Sequence, residues 1–273
     1  RLDTTNTVKR IGSVLTRIDL DHTQILGDTL DKIAIEKAPI LQPKIFNVIA
    51  RQETQAQNVL SKYTKDFDAV DVEGKDFFHS GTFDTFTFEN ENFYLSPTTL
   101  GLLGQHQSTN AALAIQAASH VLGLEGKTLE SEKTKNALSQ TKLLGRMETW
   151  KKKNQTVIVD VAHNPAGIDA LISYLYTKDP KQRYHIIFGC SNDKNASNMI
   201  QALGKIAHNI VCTSFAHPRS WKANSYAETW FENVETAFCA TWESATQPVI
   251  AAGSIFYIAE LIPILQKYGF EKV

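Results

Sequence analysis

The second half of the chain alternates between continuous apolar runs and segments with helical periodicity. The apolar runs are TVIVD, YHIIFGC, NIVCTSF and PVIAAG, which begin at residues 156, 184, 209 and 248. Amphipathic helical spacing is found in PAGIDALISYLYT, ASNMIQALGKIA, SYAETWFENV and SIFYIAELIPIL. Strands that are apolar throughout are typical of parallel sheets with helices on both faces. The pattern therefore predicts an α/β fold with a mainly parallel sheet, opened by a hairpin of METWK and TVIVD around the polar turn KKNQ.

The first half has a less regular pattern. SVLTRI and IFNVIA are predicted strands, and DTLDKIAIEKA is a predicted helix that is capped by Asp28 and stopped at Pro39. Another helix is expected through VLSKY, a strand pair in TFDTFTFENENFYL, and an alanine-rich helix, opened by Asn110, in TNAALAIQAASHVLGL. The boundary is expected at TKLLGR, which gives domains of residues 1–142, with a small β insertion near 75–97, and 143–273.

Composition excludes several classes of protein. A formal net charge of −1 provides no basic field for nucleic acid or an anionic membrane. The longest apolar run is interrupted by Glu260 and Pro263, which argues against a transmembrane helix. The three cysteines show no CxxC spacing, and Cys190 and Cys212 fall in apolar runs, as buried thiols of a reducing compartment do. We therefore expect a cytoplasmic, monomeric protein whose partners are small molecules, not nucleic acid or membrane.

Ligand-type side chains follow all four predicted strands of the second half. They are Asp160, His163, Asn164, Asp193, Lys194, His217, Arg219 and Ser254. Ligands of open parallel sheets bind at the carboxyl ends of the strands. Asp160 or Ser254 alone would serve equally well as a helix cap. Four such strand ends together favour a site for anionic ligands, with Lys194 and Arg219 as cations and helix N-termini as further donors.

The first half offers weaker candidates. Asp21 and His22 follow SVLTRI, but a lone histidine is more often structural than a metal ligand. Three further candidates can each be explained without a functional role: Lys37 as a solvated lysine, Asn110 as a helix start and Arg146 as a surface arginine.

Two nucleotide-binding motifs are excluded. GLEGKTLE ends like a phosphate-binding loop, but the glycine required at position 121 is Val121, and a helix precedes it instead of a strand. No other GK[ST] occurs in the sequence. No GxGxxG follows a predicted strand, which disfavours a nicotinamide-dependent dehydrogenase.

Seven segments together resemble a known family. In chain order they are RLDTTN, LDHTQILGDTLDKIAIEKAPIL, LLGQHQSTNAALAIQAA, LLGRME, VIVDVAHNPAG, GCSNDKN and AAGSIF. The chain resembles the folylpolyglutamate synthase/dihydrofolate synthase family of the Mur ligase superfamily. The resemblance implies the remainder of a central ATPase domain in residues 1–142 and a Rossmann-like ligase domain in 143–273. It also implies an ATP-dependent ligase that adds L-glutamate to dihydropteroate or folylpolyglutamates through an acyl phosphate, with ATP and Mg²⁺. The RLDTTN and EKA motifs favour this branch over a peptidoglycan-precursor Mur ligase.

The resemblance also implies a role for each matching residue. Catalytic roles fall to Lys37, His163, Lys194 and Ser254, with His163 and Ser254 beside the incoming glutamate and Lys194 on phosphate or glutamate. Nucleotide binding falls to Asn110, Arg146 and Asp160, and contact with the pteridine substrate to Leu2, Asp3 and Thr4. His22 matches a magnesium ligand, and Lys37 matches a lysine that is carbamylated near the metal.

Two family features have no counterpart in residues 1–273: the phosphate loop GTNGKGS and an acidic metal ligand upstream of GGRLD. From this we expect the C-terminal two-thirds of such an enzyme, inactive by itself; the alternative is a nonenzymatic ligand-binding remnant. We also expect Asn110, Arg146 and Asp160 to lie close together. His22 and Lys37 are expected to face one cleft, with the metal site empty or poorly formed.

Overall fold

The computed structural model of the protein describes residues 4–21, 23–222 and 229–273, without the side chains of Thr4, Thr5 and Gln24. The chain divides into two compact units, Arg1–Thr141 and Lys142–Val273. This division lies one residue before the predicted boundary.

The first unit begins with a parallel sheet and its helices. In chain order the elements are β1 (Gly12–Leu15), α1 (Thr23–Leu26), α2 (Leu30–Lys37), β2 (Phe46–Ile49), α3 (Thr54–Tyr63) and β3 (Val70–Val72), with short 3-10 helices at Thr4–Thr7 and Ala38–Ile40. The strand order is β1-β2-β3. Ile33 and Ala34 of α2 and Leu60 of α3 are fully buried with Leu15 and Ile49 in one apolar cluster. Burial of this face holds the two short helices on the sheet.

An antiparallel sheet and two further helices complete the first unit. They are β4 (Phe77–Ser80), β5 (Phe86–Asn90), β6 (Phe93–Thr98), α4 (His106–Leu124) and α5 (Ser131–Gln140). The predicted strand pair is confirmed as β5 and β6, which pair antiparallel around Glu91 and Asn92. Helix α4 begins at His106, so the prediction that Asn110 opens it was wrong.

The second unit contains the predicted hairpin and the strand–helix alternation. Its elements are β7 (Glu148–Lys152), β8 (Gln155–Asp160), α6 (Pro165–Lys178), β9 (Tyr184–Phe188), α7 (Ala196–Leu203), β10 (Ala207–Thr213), β11 (Trp230–Phe231), α8 (Val234–Trp242), β12 (Val249–Ala252), α9 (Ile255–Lys267) and β13 (Glu271–Lys272). The sheet order is β11-β10-β9-β12-β8-β7-β13. Strands β11 to β8 in this order are parallel, whereas β7 and β13 pair antiparallel at one edge. The predicted α/β class with a mainly parallel sheet is confirmed.

Helices cover both faces of this sheet. All five residues of β9 are buried, which requires cover on both sides. On one face, Val159, Ile187 and Val211 share a core with Phe238 of α8 and Leu261 of α9. Helices α6 and α7 bury their own apolar stripes, including Ile168, Leu171, Met199 and Leu203.

Two local predictions were wrong. The segment SYAETWFENV was expected to be helical, but Trp230 and Phe231 form strand β11 and the helix begins at Val234. Residues 223–228 of that segment lie outside the described residues. Helix α2 is preceded by Thr29 as its N-cap, whereas Asp28, the predicted cap, pairs with Lys32 at 2.8 Å. The Asp28 carboxylate, which was expected to cap the helix, thus forms an ion pair with Lys32, four residues further along the chain.

The cysteines behave as the apolar runs indicate. Cys190 and Cys212 are buried free thiols, and burial raises the pKa of each to about 12. Across the described ranges, no helix is both long and apolar enough to cross a bilayer.

Candidate functional site

The carboxyl ends of four parallel strands in the second unit meet at one edge of the sheet. In spatial order the strands are β10, β9, β12 and β8. The residues that follow them include His217 after β10, Lys194 after β9 and Ser254 after β12, while Asp160 ends β8. The sheet topology therefore places the strand-end residues predicted from the sequence along one edge of a single sheet.

A tight turn at Gly145–Met147 is fixed against the end of β8. Gly145 and Met147 have φ values of +67° and +50°, in the left-handed region. The Val161 N–H donates to the Gly145 carbonyl at 2.8 Å, and the Met147 N–H donates to Asp160 Oδ2 at 3.0 Å. A Cβ atom at Gly145 would lie 2.5 Å from Val161 Cγ1, so only glycine fits this close approach. Arg146, half-buried, is thus held between two anchored residues.

Asp160 organises this loop from a buried position. Its side chain accepts the N–H of Met147 on Oδ2 and the N–H of Ala162 on Oδ1, at 3.0 and 2.8 Å. Burial raises the pKa of the carboxyl above its ordinary value, and these two N–H donors together with Arg146 and His163 only partly oppose it. Asp160 is 5% exposed. The contacts seen are structural, and the nucleotide role that the sequence suggested for Asp160 stays a prediction.

His163 and Asn164 are oriented by the first turn of α6. The Val161 carbonyl, which can only accept, lies 2.9 Å from His163 Nδ1, so Nδ1 carries the proton and the neutral ring has its lone pair on Nε2. Asn164 is the N-cap of α6 and accepts the Gly167 N–H at 2.8 Å, while Pro165 occupies the first turn. His163 is thereby presented at the mouth of a helix with a fixed tautomer.

Ser254 occupies the equivalent position on the neighbouring strand. It is 3% exposed, caps α9 and accepts the Phe256 N–H at 3.3 Å. Gly253 before it has φ +129°, and a Cβ there would lie 2.4 Å from the Gly189 carbonyl oxygen. The backbone at the end of β12 therefore lies close to the backbone at the end of β9, and glycine at position 253 leaves room for this approach.

The loops after β9 and β10 are joined by backbone hydrogen bonds. The Asn192 N–H donates to the Arg219 carbonyl at 2.8 Å, and the Trp221 N–H donates to the Cys190 carbonyl at 2.9 Å. Lys194 is half-buried and lies close enough to Cys190 to oppose the effect of burial on the pKa of that thiol. The His217 ring stacks on Phe256, with centroids 3.8 Å apart. These contacts tie the loop of Lys194 to the first turn of α9.

The candidates in the first unit are exposed or lie outside the described residues. Asn110 lies exposed in α4, and its Nδ2 donates to Gln107 Oε1 at 3.0 Å. Lys37 is exposed in the last turn of α2. Leu2, Asp3 and His22 fall outside the described residues, as does the side chain of Thr4. The expected proximity of Asn110 to Arg146 and Asp160, and of Lys37 to His22, stays a prediction.

Metal-ligand side chains are not clustered in the described part of the chain. Within residues 4–21, 23–222 and 229–273, no group of three or more histidine, cysteine, aspartate or glutamate side chains is arranged to hold a metal ion. Mg²⁺ prefers several oxygen ligands in octahedral geometry. His22, the predicted magnesium ligand, lies outside the described residues, and its role stays a prediction.

Glu73, a half-buried carboxylate of the first unit, joins a polar cluster that no sequence motif indicates. Glu73 accepts hydrogen bonds from His79 Nε2 at 2.6 Å, from the Arg51 N–H at 2.8 Å and from Thr109 Oγ1 at 3.3 Å. Burial favours a higher pKa for Glu73, but the donors, His79 foremost, outweigh burial and hold the pKa below the ordinary value. Thr109 directly precedes Asn110 in α4, so this cluster anchors the helical turn that carries Asn110.

The second unit is similar to a domain of known proteins. Residues 145–254 match the sequence profile of the Mur ligase, glutamate ligase domain. The chain is 28% identical, over 96% of its length, to dihydrofolate synthase/folylpolyglutamate synthase of Bacillus subtilis, and 26% identical, over 93%, to folylpolyglutamate synthase of Lacticaseibacillus casei. It covers 64% and 62% of those proteins, less than two thirds of either.

Solved structures show the same fold. The structure of E. coli FolC in complex with DHPP and ADP superimposes with a TM-score of 0.85 at 24% identity, covering 98% of this chain and 64% of that one. An FPGS-AMPPCP-folate complex superimposes with a TM-score of 0.80 at 24% identity, covering 97% of this chain and 63% of that one. Residues 145–254 thus match the Mur ligase, glutamate ligase domain, and the chain as a whole is similar to folylpolyglutamate and dihydrofolate synthases.

Proposed function

We propose that this chain serves an ATP-dependent amide ligase that adds L-glutamate to a pteroate or folate acceptor through an acyl phosphate. One observation carries the proposal. The glutamate ligase match runs from residue 145 to residue 254. Gly145 is bonded to the end of β8, and Ser254 follows the end of β12, the neighbouring strand. The match therefore begins and ends at the carboxyl ends of two neighbouring strands, where parallel α/β sheets bind ligands.

The charges at this edge suit the proposed substrates. ATP, the acyl phosphate and glutamate are all anionic. Arg146 and Lys194 supply positive charge, and the first turns of α6 and α9 supply backbone N–H donors. We assign Arg146 to the nucleotide and Lys194 to a phosphate or to a glutamate carboxylate.

His163 is the residue best prepared to act on the amine of glutamate. An ammonium must lose a proton before nitrogen can attack the acyl carbon. The bond from Nδ1 to the Val161 carbonyl leaves the lone pair of the neutral ring on Nε2, which is able to accept that proton. Asn164 and Ser254 then act as caps that hold the two neighbouring helix ends in place.

Formation of the acyl phosphate is expected to need a further binding element. Phosphoryl transfer depends on donors that cradle the β- and γ-phosphates, and the sequence contains no GxxxxGK[ST]. We propose that the 273 residues contain the side chains that bind nucleotide and glutamate. Turnover would then require a phosphate-binding loop from outside these residues.

The test combines turnover with binding. The 273-residue chain is given ATP, L-glutamate and either dihydropteroate or tetrahydrofolate, and glutamylated product is followed by mass spectrometry. A chimera is assayed in parallel, in which the part of the B. subtilis relative that this chain does not match is joined to residues 1–273. Binding of ADP to the chain and to an Arg146→Ala variant is measured by calorimetry, with Arg183→Ala, an exposed arginine before β9, as the control.

The outcomes separate the parts of the proposal. Glutamate-dependent product from the chimera only is the expected result. Product from the 273-residue chain itself would support the ligase and refute the need for an external loop. A chimera that accepts a UDP-muramoyl substrate instead would refute the folate assignment. ADP affinity equally unchanged in both arginine variants would refute the role of Arg146.

A further inference from the structure

Two histidines lie together at the amino ends of β9 and β10, the opposite end of the second unit's sheet from the candidate site. His185 is 6% exposed, whereas His208 is exposed. Their ring centroids are 4.8 Å apart, with ring planes at 65°. The ladder shifts register between Ala207 and Asn209, so His208 is the extra residue of a β-bulge. The bulge re-aims His208, which in a regular strand would point to the opposite face from Asn209.

The nitrogen atoms of His185 are not equivalent. Nδ1 lies 2.7 Å from the side-chain oxygen of Asn209, which only accepts, so Nδ1 carries the proton. Nε2 therefore holds the lone pair. It is buried and has no hydrogen-bond partner within the part of the chain that the structure describes. A buried acceptor without a partner is costly, so a ligand on this nitrogen would remove an unfavourable free-energy term.

We propose that His185 and His208 bind one divalent transition-metal ion. A metal held at about 2.0–2.1 Å by two imidazole nitrogens, at angles of roughly 90–109°, places the ring centroids roughly 4.5–5.2 Å apart. The observed separation of 4.8 Å falls within that interval. The hydrogen bond from Nδ1 to the Asn209 side-chain oxygen resembles the outer contact that metal-ligating histidines make to a carboxylate, backbone carbonyl or water, and it fixes the tautomer and the ring orientation.

The ligand set selects the class of metal. Imidazole suits copper, nickel and zinc, whereas magnesium and calcium prefer oxygen. No third histidine, cysteine or carboxylate completes a group with this pair in the described ranges, so water fills the remaining positions. With two imidazoles and water the affinities follow the general order of divalent ions, and Cu²⁺ binds more tightly than Ni²⁺ or Zn²⁺. The exposed ring of His208 provides the entry for the ion.

The experiment titrates metal-free chain with Cu²⁺, Ni²⁺ and Zn²⁺ by calorimetry, without nucleotide or folate. His208→Asn is the main variant, because an exposed side chain is removed without loss of core. His106→Asn, which removes an exposed histidine of the first unit, is the matched control. His185→Asn and Asn209→Ala test the buried ligand and its outer contact. Electron paramagnetic resonance of the Cu²⁺ complex counts the coordinated nitrogens.

The expected result is one Cu²⁺ per chain bound through two imidazole nitrogens. His208→Asn is expected to weaken binding roughly tenfold or more, the range seen even when an outer contact is lost, and to leave one nitrogen signal. His106→Asn should leave affinity and spectrum unchanged. Equal affinity of wild-type and His208→Asn protein, or a two-nitrogen spectrum that persists in His208→Asn, would overturn the proposal. Because the probe is the metal alone, neither result depends on the ligase assignment.

Discussion

The buried Asp160 and the half-buried Glu73 respond to their surroundings in opposite ways. Burial raises the pKa of Asp160 despite two backbone N–H donors. Burial acts in the same direction on Glu73, but a histidine, a backbone N–H and a hydroxyl outweigh it and lower the pKa. As pH rises from the ordinary carboxyl value to the raised pKa of Asp160, the unfolded state loses its proton first, so Asp160 makes the fold less stable with rising pH. For Glu73 the sign is reversed, and its contribution is lost as pH falls through the lowered pKa.

Asp160→Asn is expected to loosen the turn at Gly145–Met147. The amide keeps one accepting oxygen, but its NH₂ group then faces a backbone N–H, and a buried donor left without an acceptor costs about 1–3 kcal/mol. We expect one of the two amides, Met147 or Ala162, to exchange hydrogen roughly tenfold or more faster, as measured by NMR. The Gly167 amide, bonded to Asn164, is the internal control. Unchanged protection at both amides would show that Asp160 does not hold the turn.

Glu73→Gln is expected to destabilise the first unit by about 1.5–3 kcal/mol at neutral pH, because hydrogen bonds to a charged acceptor are lost. The difference in the free energy of unfolding between wild type and variant should shrink as pH falls below about 4.5, because the Glu73 carboxylate then becomes protonated and its charge is lost. Urea unfolding followed by far-ultraviolet circular dichroism between pH 7 and about 3.5 measures it. Glu89→Gln removes an exposed carboxylate of β5 and is the control. A pH-independent difference would mean that the carboxylate charge of Glu73 does not contribute.

The sequence carried information about some of these residues and not about others. Asp160 and Ser254 were recognisable because each ends an apolar run and precedes a helix. Glu73, His79 and Thr109 carry no such local signal, since Glu73 and Thr109 are 36 positions apart in the sequence and meet only in the folded first unit. The hydrogen bond by which Asp160 holds the turn could not be predicted either, because its partner Met147 lies 13 residues earlier. Side-chain partners that are distant in sequence are set by tertiary packing.

At the level of helices and strands, prediction succeeded where periodicity and caps agreed. The predicted helices α6, α7 and α9 each follow an N-cap whose side chain accepts a backbone N–H: Asn164, Asn195 and Ser254. Prediction failed at Trp230, because the apolar residues near it have the spacing of a helix. Trp230 instead pairs with Cys212 in the sheet and packs edge-on against Trp221 at 5.0 Å. Packing of this kind overrides local propensity, and Asn233 was the signal for where the helix starts.

Asn164→Ala is expected to destabilise the second unit by about 1 kcal/mol through loss of the N-cap of α6. Asn164→Asp should retain most of the stability, because its carboxylate still accepts the Gly167 N–H and favours the positive end of the helix. Urea unfolding monitored by tryptophan fluorescence compares the two. Equal loss in both variants would show that the side chain contributes something other than a cap.

Gly145→Ala tests the turn as a unit, with Gly126→Ala as its control. The two glycines have φ values of +67° and +68°, so both variants pay the left-handed backbone strain of about 1 kcal/mol. Only at Gly145 does the new Cβ meet a neighbour, at 2.5 Å from Val161, whereas nothing lies within 4 Å at Gly126. We expect the Gly145 variant to lose clearly more thermal stability and to bind ADP more weakly, since Arg146 moves. Equal losses would mean that the turn relaxes freely.

The second unit is expected to fold as an independent domain. It has its own sheet and core, and Trp150, Trp221, Trp230 and Trp242 all lie within it, so tryptophan fluorescence reports on this unit alone. We expect residues 142–273, expressed by themselves, to unfold cooperatively in urea, because a core of this kind suffices for a domain of ordinary size. Leu261→Ala in the isolated unit should lower stability by about 2–5 kcal/mol, as removal of a fully buried leucine does in a packed core. A broad transition that Leu261→Ala leaves unchanged would show a loosely packed state, and the unit would then not be an independent domain.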